Sequence, residues 1–76
     1  MKVIVYSTPT CPWCIKVKEF LKANNIKYTN IDVSSNDKAA KEMINKSSQK
    51  GVPVIDIDGK ILIGSDEVKL KEALNL

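Results

Sequence analysis

Two cysteines separated by two residues are the side chains whose type and spacing indicate chemistry in this sequence. Cys11 and Cys14 are the only cysteines among 76 residues, and they lie between a strand-like apolar run and a helix-like run. A C-x-x-C motif at the junction of a strand and a helix is typical of a redox-active dithiol. A disulfide that closes so short a loop stabilises a fold weakly, which disfavours a structural role.

The helix predicted to begin at this motif gives the two thiols different roles. Cys11 is expected at the N-cap, and Pro12 at the first helical position, where its missing N–H costs nothing. The free N–H groups of the helix start favour the thiolate of Cys11, which makes it the attacking nucleophile. Cys14 lies one turn on, along the apolar face, and is expected to be buried and to resolve the mixed disulfide. Trp13 is expected to be exposed beside Cys11, as an aromatic surface for a peptide or glutathione.

Size and composition exclude several classes of protein. Residues 1–76 form one small domain, and the 43% hydrophobic content is ordinary for a globular chain. Twelve scattered lysines, no arginine and nine acidic residues give a net charge of +3, without the basic stripe of a nucleic-acid-binding protein. With no histidine and two cysteines, one chain cannot assemble a four-ligand zinc site, and we expect no metal. No apolar run is long enough for a membrane span and no signal-peptide pattern is present, so we expect a cytoplasmic protein.

The apolar pattern predicts strands and helices that alternate around the motif. The predicted order is β-α-β-α-β-β-α, with strands at 2–7, 26–32, 52–57 and 60–63 and helices at 12–24, 36–46 and 66–75. A right-handed crossover makes the first two strands parallel, and Asp58-Gly59 makes the last two an antiparallel hairpin. We therefore expect an α/β fold built on a four-stranded mixed sheet.

Finer features of the pattern give further expectations. The strand at 26–32 alternates in part, which predicts one exposed face. Ser34 and Asp37 have the spacing of a capping box at the start of the second helix. Ser65 is expected to cap the last helix. The apolar positions of that helix are Val68, Leu70, Ala73 and Leu74.

Three motifs in this order and spacing resemble the glutaredoxins, and the resemblance covers nearly the whole chain. They are Cys11-Pro12-Trp13-Cys14, Val52-Pro53 and Gly64-Ser65-Asp66. The resemblance implies a thioredoxin fold with four strands and three helices, and a cis bond between Val52 and Pro53. It also implies that the Val52 backbone pairs with an incoming peptide or glutathione, and that Ser65 and Asp66 bind the γ-glutamyl end of glutathione. Glutathione is then a cosubstrate rather than a permanently bound cofactor.

Other positions depart from the pattern of glutathione-using members. Thr8 stands where many glutaredoxins carry a lysine, and Gly51 replaces a frequent threonine. Lys50, or Gln49 as a neutral donor, is the candidate to bind the glycyl carboxylate. The same loop resembles the glutaredoxin-like redoxins that thioredoxin reductase reduces and that supply ribonucleotide reductase. Overall the chain is similar to short bacterial glutaredoxin-like proteins.

Several functions therefore stay open. The leading hypothesis is a monomeric dithiol oxidoreductase that takes electrons from glutathione and reduces disulfides of protein substrates. The first alternative takes its electrons from a thioredoxin-reductase-type flavoprotein. A second alternative is a dimer that holds a [2Fe–2S] cluster through Cys11 of each chain and two glutathione thiols, which Pro12 tends to oppose within the family. A protein-binding module without activity is disfavoured, because a bare scaffold has no need of an exposed dithiol.

Overall fold

A computed structural model describes residues 2–64 and 67–75, which form a four-stranded sheet and three helices. The predicted order and fold class are confirmed. The elements are β1 Val3–Ser7, α1 Pro12–Ala23, β2 Thr29–Asp32, α2 Asp37–Ser47, β3 Val54–Ile57, β4 Lys60–Ile63 and α3 Glu67–Leu74. The strand order across the sheet is β2-β1-β3-β4, with β1 parallel to β2 and the other pairs antiparallel.

Strand β1 is central because its β-branched residues are buried on both faces of the sheet. Val5 is fully buried and pairs with Asn30 of β2 on one side and Ile55 of β3 on the other. Near-continuous apolar runs of this kind are typical of strands that are covered on both faces. Because β1 ends at Ser7, the rigid centre of the sheet leads directly into the segment that carries Cys11.

Helices cover both faces of the sheet and form two separate apolar clusters. On one face, Val17 and Leu21 of α1 and Leu70 and Leu74 of α3 pack against buried valine and isoleucine residues of β1 and β3. The second cluster, on the other face, contains Tyr6, Ala39, Met43 and Val54, two of which belong to α2. The sheet is thus the middle of three layers, and α1 is held against it by its apolar side.

The ends of α1 agree with the sequence prediction, whereas the start of α2 does not. Cys11 caps α1, and Asn25 beyond its end has a left-handed φ of 56°. The predicted capping box of Ser34 and Asp37 is wrong. Asn36 caps α2 instead, because its side chain accepts from the N–H of Ala39 at 3.0 Å. The backbone N–H of Ser34 donates to Asp32 within a local turn.

Two strand boundaries and one apolar position also differ from the prediction. Strand β2 covers only Thr29–Asp32, and it lacks the expected alternation because both Thr29 and Asn30 are exposed. Ile26 is used differently: its N–H donates to Leu21 at the end of α1, and its side chain packs on the core. Strand β3 begins at Val54 rather than at residue 52. Val68, expected to be an apolar core position, is 65% exposed.

The Asp58-Gly59 hairpin forms as predicted and completes a polar cluster at one end of the sheet. Both turn residues have positive φ, 51° and 91°, which is the requirement of the two-residue turn. The N–H of Gly59 donates to Asp56, whose other carboxylate oxygen lies 2.8 Å from Nζ of Lys46. Lys46 also donates to the hydroxyl of buried Tyr6. These contacts fasten α2 to β1 and β3.

The charge of Asp56 is favoured by this cluster. Burial by itself would raise the pKa of Asp56, but hydrogen bonds from Lys46 and from the N–H of Gly59 outweigh it and lower the pKa. Lys46, the other member of the pair, is affected in the opposite direction: its hydrogen bonds to Asp56 and Tyr6 raise its pKa.

No helix within residues 2–64 and 67–75 is long and apolar enough to cross a membrane.

The first prediction concerns this ion pair. Asp56→Asn should lower the free energy of unfolding at neutral pH by about 1 kcal/mol, since the pair is only partly shielded from water. A lowered carboxylate pKa stabilises the fold above the ordinary value of about 4, and this contribution is lost as pH falls through the folded-state pKa. Denaturant titrations at neutral pH and near pH 3 should therefore show the difference from the parent protein shrinking in acid.

Glu72→Gln, on the exposed side of α3, is the matched control, and it should change stability by less than about 0.5 kcal/mol. A deficit in Asp56→Asn that is equally large in acid would show that lost packing, rather than lost charge, explains it.

Candidate active site

Cys11 lies at the start of α1 with its sulfur facing the helix backbone. Its Sγ accepts from the N–H of Cys14 at 3.2 Å, in the position that a serine or asparagine oxygen usually takes at an N-cap. The first turn of α1 holds no acidic side chain, so no negative charge opposes an anion there. Cys11 is partly exposed, and both cysteines are free thiols. A thiolate at this position is stabilised by the helix terminus and accessible to a substrate.

Cys14 occupies the opposite environment one turn along the same helix. Its side chain is fully buried, on the side of α1 that also buries Val17 and Leu21. Burial, together with the hydrogen bond to Cys11, raises the pKa of the Cys14 thiol to about 11, although a backbone contact with Thr8 acts in the opposite sense. At neutral pH the Cys14 thiol is therefore protonated. The two thiols are adjacent, but only one of them is placed to react first.

A groove of about 300 Å³ lies next to Cys11. It is lined by Trp13, Val52, Pro53 and Gly64. The bond between Val52 and Pro53 is cis, as the resemblance implied, and the Val52 carbonyl oxygen lies 3.9 Å from the Cys11 sulfur. Gly64 has a φ of 84°, which favours glycine, and its N–H donates to the Pro53 carbonyl at 3.0 Å. That bond fixes the end of β4 against Pro53 and so holds the far wall of the groove.

Trp13 forms the near wall and is 56% exposed. The ammonium of Lys16 lies over its ring, 4.6 Å from the centroid. A cation above an aromatic face is attracted by the ring, so Lys16 restrains the indole at the mouth of the groove. This contact was not predicted from the sequence. The i, i+3 spacing of the two residues on one helix was the available signal.

The basic side of the groove is not assembled as expected. Lys50 is exposed and does not line the groove. Gln49 donates its side-chain amide to the carbonyl of Gly51 at 3.1 Å, so this donor is already engaged within the loop. A Cβ added at Gly51 would lie in ordinary contact with the Gln49 side-chain oxygen, at 3.4 Å, so lack of space does not require glycine at this position. Thr8 lies beside the dithiol, and its carbonyl accepts from the N–H of Cys11.

Two predicted ligands of glutathione, Ser65 and Asp66, lie outside the described residues. In the described part of the chain, no three His, Cys, Asp or Glu side chains come together as candidate metal ligands. The described site therefore consists of a cysteine at a helix start, a second thiol buried behind it, and an open groove with an aromatic wall. This arrangement is suited to thiol–disulfide exchange, which requires an accessible thiolate and a second thiol within reach.

Comparison with known proteins agrees with this chemistry. A family model described as Glutaredoxin matches residues 3–62. An uncharacterized glutaredoxin-like 8.6 kDa protein in the rubredoxin operon of Clostridium pasteurianum is 46% identical over 70 residues, which are 92% of this chain and 93% of that protein. Glutaredoxin 3 of Escherichia coli K12 is 30% identical over 71 residues, which are 93% of this chain and 86% of that protein.

A solved structure shows the same fold. The T8A mutant of the thioredoxin-like protein BC3987 superposes with a TM-score of 0.92 at 38% identity, covering 97% of this chain and 95% of that chain. The family match extends over most of the sequence, and the dithiol and the cis Val52–Pro53 bond lie where the three motifs placed them. The chain belongs to the glutaredoxin family.

Proposed function

We propose that this protein is a dithiol oxidoreductase that reduces protein disulfides or glutathione mixed disulfides, and that glutathione restores its dithiol. Membership of the glutaredoxin family supports thiol–disulfide exchange as the reaction. The observation that carries the dithiol mechanism is the placement of Cys11 Sγ 3.2 Å from the N–H of Cys14, whose own thiol is buried. Because thiols of this kind persist reduced where glutathione and thioredoxin systems operate, we propose the cytoplasm as its compartment.

The reaction proceeds in two exchanges. The Cys11 thiolate attacks one sulfur of the substrate disulfide, a bond forms between these two sulfurs, and the other substrate sulfur leaves as a thiolate that takes up a proton. Cys14 then loses its proton and attacks Cys11 Sγ, which releases the second substrate thiol. The substrate gains two electrons and two protons, and the protein is left with a disulfide between Cys11 and Cys14. Two glutathione molecules reverse this change and become glutathione disulfide.

The groove beside Cys11 supports glutathione as the reductant. Glutathione is a tripeptide, and an extended peptide binds through backbone hydrogen bonds of the kind that Val52 is placed to offer. Trp13 and Pro53 supply apolar contacts on either side. The sulfur of a peptide held against Val52 would lie close to Cys11, since the Val52 carbonyl oxygen is 3.9 Å from Sγ.

A second candidate reductant is a thioredoxin-reductase-type flavoprotein. Three observations favour it: Thr8 supplies no positive charge beside the dithiol, Gln49 is engaged with Gly51, and Lys50 does not line the groove. In that case the protein would pass electrons from the flavoprotein to ribonucleotide reductase or to another disulfide-forming enzyme.

The reductant is tested by two coupled assays run in parallel. With glutathione and glutathione reductase, the protein should reduce a glutathione mixed disulfide of a small thiol. The second assay replaces both reagents with thioredoxin reductase and uses the same protein concentration. Turnover in the second assay alone would contradict glutathione as the reductant, and would establish the alternative.

A charge change at Thr8 tests why the two reductants differ. Thr8→Lys should lower the KM for glutathione by up to about fivefold, because an exposed ammonium beside a carboxylate contributes up to about 1 kcal/mol. The activity with thioredoxin reductase should change little. Thr8→Ser, which alters size but not charge, is the control. An unchanged KM in Thr8→Lys would show that this position does not decide the reductant.

The roles of the two thiols are tested by single substitutions. Cys11→Ser should abolish turnover, whereas Cys14→Ser should form a mixed disulfide with the substrate and retain it. The thiolate absorbance of Cys11→Ser, which reports Cys14 alone, should rise only well above the ordinary thiol range near 8.5, because burial persists when Cys11 Sγ is gone.

The pH dependence follows from the same environment. Resolution of the mixed disulfide requires the Cys14 thiolate, so its rate should increase by up to about tenfold per pH unit between neutral pH and the Cys14 pKa. Stopped-flow release of a chromophoric thiol measures this step. A rate that is flat over that range would contradict Cys14 as the resolving thiol.

A further inference from the structure

Two exposed apolar residues flank Cys14 in the sequence, and the groove beside Cys11 uses only one of them. Residues two apart on a helix point about 200° apart, so Trp13 and Ile15 face opposite sides of α1. Trp13 lines the groove, whereas Ile15 is 45% exposed and lines a separate hollow of about 360 Å³ between α1 and β2. A single exposed isoleucine is ordinary. Ile15 differs from such a residue because charged side chains of α1 line the same hollow.

The hollow is lined by charged side chains of α1 together with two large side chains, Ile15 and Tyr28. Besides Ile15, the lining from α1 consists of Lys18, Glu19 and Lys22. Tyr28, partly buried against the core, and Asn30 line the other side. Two ammonium groups face one carboxylate, so the hollow carries a net positive charge that attracts an acidic segment. We name this surface, defined by Ile15, Lys18, Lys22 and Tyr28, the β2 side of α1.

Distances along the helix relate this surface to the dithiol. An α-helix rises about 1.5 Å per residue, so Lys22 lies about 16 Å along the axis from Cys11. An extended chain advances about 3.3 Å per residue, so about five residues span that distance. A segment about five residues from a disulfide sulfur that contacts Cys11 is therefore long enough to reach Lys22 on this surface. The groove that is proposed to bind glutathione lies on the Trp13 side of α1. A tripeptide bound there would not cover the β2 side of α1.

We infer that the β2 side of α1 is a docking surface for the protein substrate, and that it binds an acidic segment about five residues from the substrate disulfide. An apolar side chain of the segment packs on Ile15 and Tyr28, and its carboxylates face Lys18 and Lys22. This inference rests on the proposed function, in which the docked disulfide gains two electrons from Cys11 and Cys14. Charge complementarity of this kind raises the association rate and selects among partners.

The test compares three substrates that differ only outside the reacting bond. Two synthetic peptides carry the same disulfide and a leucine in a flanking segment, which is rich in glutamate in one peptide and in lysine in the other. The third substrate is hydroxyethyl disulfide, which is small and uncharged. Wild-type protein, used at low ionic strength with the reductant that sustains its turnover in the coupled assays, should reduce the glutamate peptide with a kcat/KM about tenfold above that of the lysine peptide.

Charge reversal on the surface should cancel this preference. The double variant Lys18→Glu, Lys22→Glu should lose about tenfold in kcat/KM with the glutamate peptide and its dependence on salt, while hydroxyethyl disulfide is reduced as before. The matched control reverses Lys38 and Lys41, two exposed lysines of α2 on the other face of the sheet, and should retain the preference. Ile15→Ser should weaken both peptides without changing the ratio between them.

Two results would overturn the inference while the proposed function stands. One is equal reduction of both peptides by the wild-type protein. The other is an equal loss in the two charge-reversed variants, which would assign the effect to net charge rather than to this surface. A wild-type protein that fails even with hydroxyethyl disulfide would overturn the proposed function, and the docking surface with it.

Discussion

The contact between Cys11 Sγ and the N–H of Cys14 is the interaction on which the site depends. The chain uses the same capping geometry twice: the Asn36 side-chain oxygen accepts from Ala39 at 3.0 Å, and Cys11 sulfur accepts from Cys14 at 3.2 Å. Oxygen is the better acceptor and asparagine is a preferred cap, whereas cysteine is not. Cys11 is therefore a weaker cap of α1 than an asparagine would be, but it places a sulfur at the helix start, where an anion is favoured.

Because Cys11, the proposed nucleophile, is also the N-cap of α1, the thiol of Cys14 cannot have the same environment as the thiol of Cys11. The i, i+3 relation that brings the Cys14 N–H to Cys11 also sets the Cys14 side chain on the side of α1 that packs on the sheet. Burial there raises the pKa of Cys14 to about 11. The proposed order of the two exchanges thus follows from helix geometry: the Cys11 sulfur is partly exposed and accepts from a backbone N–H, and the Cys14 sulfur is buried in the core.

The features that could be predicted from the sequence are those fixed by neighbouring residues. Pro12 after Cys11 determines where α1 begins, and Asp58-Gly59 determines the hairpin, because each acts through backbone angles alone. The start of α2 was harder to predict, since both Ser34 and Asn36 are good caps and only the turn formed by Asp32 decides between them.

Features that depend on distant packing were not predictable. Strand β2 is short because Ile26 and Tyr28 pack on the core before the strand begins, and no periodicity within residues 26–32 reveals this. Val68 satisfies the apolar pattern of α3, yet the side of that helix that meets the sheet passes through Leu70 and Leu74. The groove beside Cys11 also depends on distant packing. Its walls come from α1, the loop before β3 and the end of β4, so only the resemblance, and not any local pattern, could place them together.

This difference between local contacts and distant packing explains why the sequence predicts the dithiol chemistry better than it predicts the reductant. The reacting sulfurs are held by backbone contacts within a single helix turn, soon after the end of β1, an interior strand of the sheet. The proposed determinants of the reductant, Thr8, Gln49 and Lys50, lie outside that helix turn. A substitution at one of these positions can therefore alter the proposed electron donor, while the contact between Cys11 and Cys14 stays the same.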